Sequence, residues 1–281
     1  MPVQEMQAQS ALLQIHSGAV CAANLTVARL RSVFYSRLSF LPSARRSISL
    51  NCEPQYAKYL CTSAAMDRTV KTSTRVIEHI VLLKSKERAP TEQQDAMVSG
   101  LRSLKSLPMV IELNAGKVAH ASSEGYTHAL HCRYRSKDDL ASYANDPYHL
   151  DVINKCIVPI VEDRLALDWE ADVEEPVLQS GSYGAVRILT MKPKQELANS
   201  EIEGTIDALK EYTSKFSFVK QVSAGKNFSP ARAKGYEWAY LAMFPSTKEL
   251  AELINSDGYK GLHSKVSSIM EKFNIVDYHT A

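Results

Sequence analysis

The stretch from Glu78 to Trp169 is matched, motif by motif and in the same order, by the stretch from Val186 to Tyr278. E-H-I-V-L-L-K-S-K (78–86) lies opposite V-R-I-L-T-M-K-P-K (186–194), and N-A-G-K (114–117) lies opposite S-A-G-K (223–226). G-Y-T-H-A-L (125–130) pairs with G-Y-E-W-A-Y (235–240), S-K-D-D-L-A (136–141) with S-T-K-E-L-A (246–251), and L-D-W (167–169) with V-D-Y (276–278). The offset stays between 108 and 110 residues throughout. A shared order over this length means two copies of one small domain.

Each copy reads as the same series of elements. In the first, Val76–Lys84 is rich in Val, Ile and Leu and predicts a strand. Thr91–Leu104 predicts a helix capped by Thr91, with Met97, Leu101 and Leu104 on one face. Met109–Ala119 predicts a strand in which Gly116 permits a bend. Gly125–Tyr134 alternates, with Tyr126, His128, Leu130, Cys132 and Tyr134 on one face. Ser136 caps a helix through Tyr143, a second helix runs from His149 to about Val161, and Arg164–Asp172 is the closing strand. The order β-α-β-β-α-β is that of a ferredoxin-like α+β unit. Its four-stranded sheet leaves one apolar face uncovered, which is not stable in water. Two such sheets in one chain can cover each other and form an alpha-beta barrel as an internal pseudo-dimer; association of two chains into a homodimer stays open. The units are expected at 73–172 and 181–281, with 173–180 between them.

Residues 1–52 are of a different kind. They hold five arginines, no lysine and a single acid, Glu5, and from Met6 to Cys52 there is no Asp, Glu or Lys. Arg-rich, Ser-rich and acid-poor composition is that of an organelle transit peptide, for chloroplast or, alternatively, mitochondrion. Residues 53–72 show low periodicity and read as a linker. The net charge of +2 places +4 on residues 1–52 and −2 on the rest, so the folded part is not an electrostatic nucleic-acid binder. The five cysteines (21, 52, 61, 132, 156) contain no C-x-x-C pair and suggest neither a disulfide framework nor a metal site. No apolar run is long enough for an ordinary transmembrane helix.

Leu140–Leu150 carries the chemistry. Asn145-Asp146-Pro147 ends one helix and starts the next, because Asp is a good N-cap and Pro is favoured at the first helical position. Tyr143 and His149 then flank the break and can face one pocket, a phenol beside an imidazole. His79 shares strand parity with Ile77, Val81 and Leu83, and His128 shares it with Tyr126 and Leu130. Strand histidines and the helix-junction pair could line one cavity, with His79, His128 and Tyr126 as ligand-binding candidates.

I-E-H-I-V-L-L-K (77–84), E-G-Y-T-H (124–128), D-L-A-S-Y-A-N-D-P-Y-H (139–149) and the terminal L-D-W resemble the stress-response A/B barrel (dimeric alpha-beta barrel) family, mainly known from plants. The resemblance covers about residues 73–281. It implies a stress-associated small-molecule-binding or scaffold protein holding an apolar ligand. The alternative is a polyketide cyclase of the same fold, which closes a linear polyketide by intramolecular aldol condensation without a cofactor. Under that alternative His149 would be the base, Tyr143 the catalytic tyrosine, and His79 and His128 further pocket residues. In the second copy Arg187, Trp238, Leu253 and Tyr259 stand where His79, His128, Tyr143 and His149 stand in the first. Any chemistry is therefore expected in the first copy, with the second completing the barrel.

Overall fold

A computed structural model of the chain describes residues 73–121, 124–179 and 181–280. The transit peptide expected at 1–52 and the linker expected at 53–72 lie outside the described residues.

The first unit is built from β1 (Thr74–Ser85), α1 (Thr91–Ser103), β2 (Val110–Ala121), β3 (His128–Tyr134), α2 (Lys137–Asn145), α3 (Pro147–Val152) and β4 (Val161–Val173). The second repeats it with β5 (Ala185–Pro193), α4 (Asn199–Ser214), β6 (Gln221–Lys226), β7 (Trp238–Phe244), α5 (Thr247–Asn255), α6 (Asp257–Ser268) and β8 (Met270–His279). All eight strands join one sheet in the order β4-β1-β3-β2-β8-β5-β7-β6. Each unit is thus a four-stranded antiparallel sheet with its helices on one face, the ferredoxin-like α+β arrangement expected. No helix among the described residues is long and apolar enough to cross a membrane.

Strand alternation divides the side chains into layers. On β1, Val76, Ile80 and Leu82 turn into the barrel interior with Leu165, Leu167 and Trp169 of β4 and Val186, Ile188 and Val276 of the second unit. Ile77 and Leu83 turn the other way, onto Met97, Leu101, Leu140 and Val152 of the helices. The second unit has its own sheet–helix layer around Leu189, Ile206, Leu253 and Tyr259.

The repeated A-G-K motif marks the two seams between the units. Gly116 passes so close to β8 that a Cβ would fall 1.6 Å from the His279 carbonyl oxygen. Its counterpart Gly225 meets β4, where a Cβ would fall 2.5 Å from Trp169 Cδ1. Phe228 N donates to the Asp168 carbonyl at 2.9 Å, tying the chain beyond β6 to β4, so the two ends of the sheet meet. The repeated G-Y motif also serves closure, because Tyr126 Oη and Tyr236 Oη each donate to the Glu124 carboxylate at 2.8 Å.

The barrel interior is polar on the side of the first unit. Glu78 accepts two hydrogen bonds from Arg133 (2.7 and 3.0 Å), one from His131 Nε2 (2.7 Å) and one from Ser223 Oγ (3.1 Å). Arg133 also donates to Gln221 Oε1 at 2.6 Å, and Asn114 Nδ2 to Tyr183 Oη at 2.9 Å. Burial alone would raise the pKa of Glu78, but the Arg133 and His131 charges outweigh it and hold the carboxyl well below the usual range. Where the first unit pairs Glu78 with Arg133, the second pairs Val186 with Met243. The network therefore joins unlike halves: charges from one unit are completed by Gln221, Ser223 and Tyr183 of the other.

Three local expectations are corrected. Thr91 is the first residue of α1 and not its cap; Pro90 takes that position without a side-chain bond, and its carbonyl accepts from Gln93 N and Gln94 N. The second helix stops being regular at Val152 and continues as a π-turn, Ile153–Ile157, where Val152 and Cys156 pack on Gly100 of α1. β3 begins at His128 and not at Gly125, whose φ of 70° takes the chain out of the extended region.

Candidate functional site

The helix break that holds the site forms as its residues dictate. Ser136 Oγ accepts from Asp139 N at 3.0 Å and starts α2. Asp146 leaves the helical region (φ −64°, ψ 130°), as a residue before proline tends to, and its Oδ1 accepts from Tyr148 N at 2.8 Å and His149 N at 3.3 Å. Tyr143 in the last turns of α2 and His149 in the first turn of α3 are thereby folded onto each other, ring centroids 4.1 Å apart. Tyr134 lies 5.2 Å from Tyr143, and His79 lies 6.2 Å from Tyr134 and 6.4 Å from Tyr143.

The rings of His79, Tyr143 and His149, but not that of Tyr134, edge a cavity of about 70 Å³ between the sheet and the helices of the first unit. Its walls are mostly apolar, among them Val81, Leu83, Leu101, Leu130, Leu140 and Ile157. His79, Tyr143 and His149 are its inner polar groups, and Arg164 and Arg232 line it from the solvent side. The space suits no more than about a single small ring and falls short of the roughly 300–1,000 Å³ that holds a drug-sized molecule.

His79 Nδ1 donates to Asp168 Oδ1 at 2.5 Å, directly across the β1–β4 ladder. With Nδ1 donating to the carboxylate, the neutral ring presents Nε2 as an acceptor. Burial alone would raise the pKa of Asp168; the His79 imidazole, assisted by Ser229 and Arg232, outweighs this and lowers it. The second unit braces the aspartate, since Asn227 Oδ1 accepts from Asp168 N at 2.9 Å and Arg232 Nη2 stands 3.9 Å from Asp168 Oδ2. Burial lowers the pKa of His149 to about 4, so its ring is neutral at neutral pH. Burial raises that of Tyr143, which stays a protonated phenol. Tyr143 Oη and His149 Nδ1 are buried without a well-formed hydrogen bond among the described residues; Tyr143 faces the Tyr134 hydroxyl and His149 the backbone of Ala144. The arrangement offers a neutral acceptor, a neutral donor and an aspartate-oriented imidazole around one apolar space.

Of the residues expected here from sequence, the structure brings together His149, Tyr143 and His79 and leaves out His128 and Tyr126. His128 does lie on the helix side of its strand, but at the strand's first position, with Nδ1 2.9 Å from Thr127 Oγ1 and 3.3 Å from Ser85 Oγ, away from the cavity. Tyr126 precedes the strand, so the alternation does not extend to it; its ring joins the barrel interior on the opposite side of the sheet. Asp168 and Arg232 are the residues that sequence reasoning missed. Asp168 sits in the L-D-W motif, present in both copies and so read as a feature of the fold; its register opposite His79 was the available signal. Arg232 belongs to the other unit, and nothing within the first copy points to it. Among the described residues no group of three or more His, Cys, Asp or Glu could hold a metal ion.

In the second unit the corresponding space is filled. Arg187, opposite Asp277, donates to it twice, at 2.7 and 2.8 Å, and to Tyr259 Oη at 3.2 Å. Leu253 and Tyr259 are buried there.

Two ferredoxin-like units closing one barrel, with a pocket kept in the first and packed shut in the second, define a tandem alpha-beta barrel protein. The chain belongs to the stress responsive A/B barrel domain family, whose model matches residues 77–171 and 185–280. It is 35% identical over 262 residues to a stress-response A/B barrel domain-containing protein of Arabidopsis thaliana, across 89% of this chain and 95% of that protein. It is 30% identical over 211 residues to a second Arabidopsis protein of the same description, across 73% of this chain and 96% of the other. Among solved structures, an anthrone oxidase-like protein matches with a TM-score of 0.51 at 9% identity, over 75% of this chain and 93% of that one. At that identity the likeness speaks for the fold alone.

Proposed function

We propose that the first unit binds a small, largely apolar molecule in the cavity beside Tyr143 and His149, and that the second unit acts as its structural complement. The observation that carries this reading is the pair of buried polar atoms without a well-formed hydrogen bond, Tyr143 Oη and His149 Nδ1, at an otherwise apolar cavity. Other buried atoms of this kind, Tyr134 Oη and Trp169 Nε1 for instance, do not line the cavity; these two do, and at a cavity wall such atoms offer a place for water or a ligand. The test is calorimetric titration of the full chain with phenol, beside a variant that fills the space, Ala166→Leu. Saturable one-to-one binding that Ala166→Leu abolishes supports the reading; undetectable binding by the wild-type protein contradicts it.

A second reading is cyclase-like catalysis, favoured by the His79–Asp168 pair next to a protonated tyrosine. In it His149 removes a proton next to a ketone while Tyr143 donates to the developing oxyanion. The depressed pKa of His149 makes it a weak base, which is why binding ranks first. A linear polyketide thioester offered to the protein would cyclise with loss of water, and hydrolysis of the thioester would release the aromatic acid and the free thiol; an inert wild type, or unchanged turnover in His149→Ala, contradicts the catalytic reading.

We further propose that residues 1–52 direct the protein to the chloroplast, the mitochondrion being the alternative. Composition supports this. A fluorescent protein carrying residues 1–72 would localise to plastids; diffuse cytosolic signal would overturn the assignment.

A further inference from the structure

We propose that Arg232 of the second unit and Arg164 of the first form an anion subsite at the outer end of the cavity, so that the ligand is a small apolar monocarboxylate. This rests on the binding reading above and names its ligand class.

The cavity's polarity is graded. Its inner wall presents neutral groups, Tyr143 and His149, set among leucines and isoleucines. Of the carboxylates near it, Asp168 is buried and already engaged by His79, and Asp146 caps α3 through Tyr148 N and His149 N. The charged side chains that line it are two guanidiniums, Arg164 and Arg232, both on the solvent side. Neighbouring acids are occupied elsewhere: Glu162 pairs with Lys84 and Asp163 with Lys234. Arg232 approaches Asp168 only at 3.9 Å, and Arg164 makes no ion pair with a described residue. A guanidinium offers several donors in a fixed plane suited to a carboxylate. An apolar body in the cavity with its carboxylate at the rim would satisfy both arginines, and the buried phenol and imidazole would face the body's inner end.

Arg232 reaches this place because the fold closes. The segment 227–232 is fastened to Asp168 by two backbone-directed bonds, Phe228 N to its carbonyl and its own N to Asn227 Oδ1, and the short helical turn Pro230–Arg232 follows at once. The second unit, whose own site is packed shut, thereby contributes a specificity-determining residue to the first.

The test compares benzoate with benzyl alcohol, the same ring with and without a charge, by calorimetric titration of the full chain at low ionic strength. Wild type should bind benzoate about tenfold more tightly than benzyl alcohol, the size of one partly exposed charge-assisted contact. Arg232→Gln should cut that ratio several-fold, weakening benzoate more than benzyl alcohol, and added salt should weaken benzoate alone. Arg164→Gln, on a different element, should reduce the ratio in the same direction. Equal wild-type affinity for both probes overturns the anion subsite and leaves the pocket reading standing. An equal loss of both probes in Arg232→Gln assigns that arginine to bracing Asp168 and also overturns the subsite. Failure of both probes to bind wild type overturns the pocket reading and the inference with it.

Discussion

His79 and Arg187 stand at equivalent points of the two half-barrels, each facing an aspartate directly across the ladder to its closing strand, Asp168 and Asp277. The same backbone position therefore serves two purposes. In the first unit the shorter imidazole leaves space between sheet and helices, and in the second the guanidinium fills it and locks onto Tyr259. Arg187→Met would leave Asp277 buried without its partner and should destabilise the protein by roughly 3–5 kcal/mol. The double variant Arg187→Met with Asp277→Leu should recover most of that loss, because a matched apolar pair carries no stranded charge. Denaturant unfolding of the two variants measures the difference.

The seam at Gly116 allows a sharper structural test. A methyl group there meets backbone, the His279 carbonyl, and not a side chain that could swing away. Gly116→Ala should therefore lower stability by at least about 1–3 kcal/mol, the usual range for overpacking. Gly204→Ala, where a Cβ meets nothing within 4 Å, is the control and should be neutral or slightly stabilising, since Gly204 lies within a helix. Thermal unfolding of both variants beside the wild type checks the pair.

Stability should also fall as pH drops below neutrality. Burial lowers both His128 and His149 from an ordinary 6.5 to about 4. Above pH 6.5 neither state binds protons at these sites. Between 6.5 and about 4 the unfolded chain takes up protons that the folded chain refuses, so unfolding becomes progressively easier. Below that window Glu78 and Asp168, whose folded pKa values are depressed, add a further loss as their unfolded counterparts protonate. Melting temperature measured from pH 7 to 4.5 should decline, and His149→Gln should flatten the slope. A flat profile over that range contradicts the assignment of two buried, neutral histidines.

Much of this architecture is legible in the amino-acid sequence because it rests on local chemistry. Ser136 and Asp146 cap their helices as their side chains require, and Pro147 starts α3 at the break. The G-Y and A-G-K motifs announce the repeat, although what they do, clasping Glu124 and admitting the seams, appears only when both copies are placed together. Strand parity located His79 correctly and failed for Tyr126, because the strand starts only at His128 and the tyrosine, next to Gly125 at positive φ, lies outside it. Asp168 could be found only from register, and Arg232 only from barrel closure, and both are long-range properties.

The central claim is that one unit of the two keeps a ligand site. The most direct measurement is the crystal structure of the full chain soaked with 4-iodophenol, whose iodine is located by anomalous scattering. The account predicts a single iodine per chain, inside the first unit, with the phenol ring against Tyr143 and His149 and nothing behind Arg187 in the second. Iodine behind Arg187, or an empty first-unit cavity under saturating probe, would contradict it.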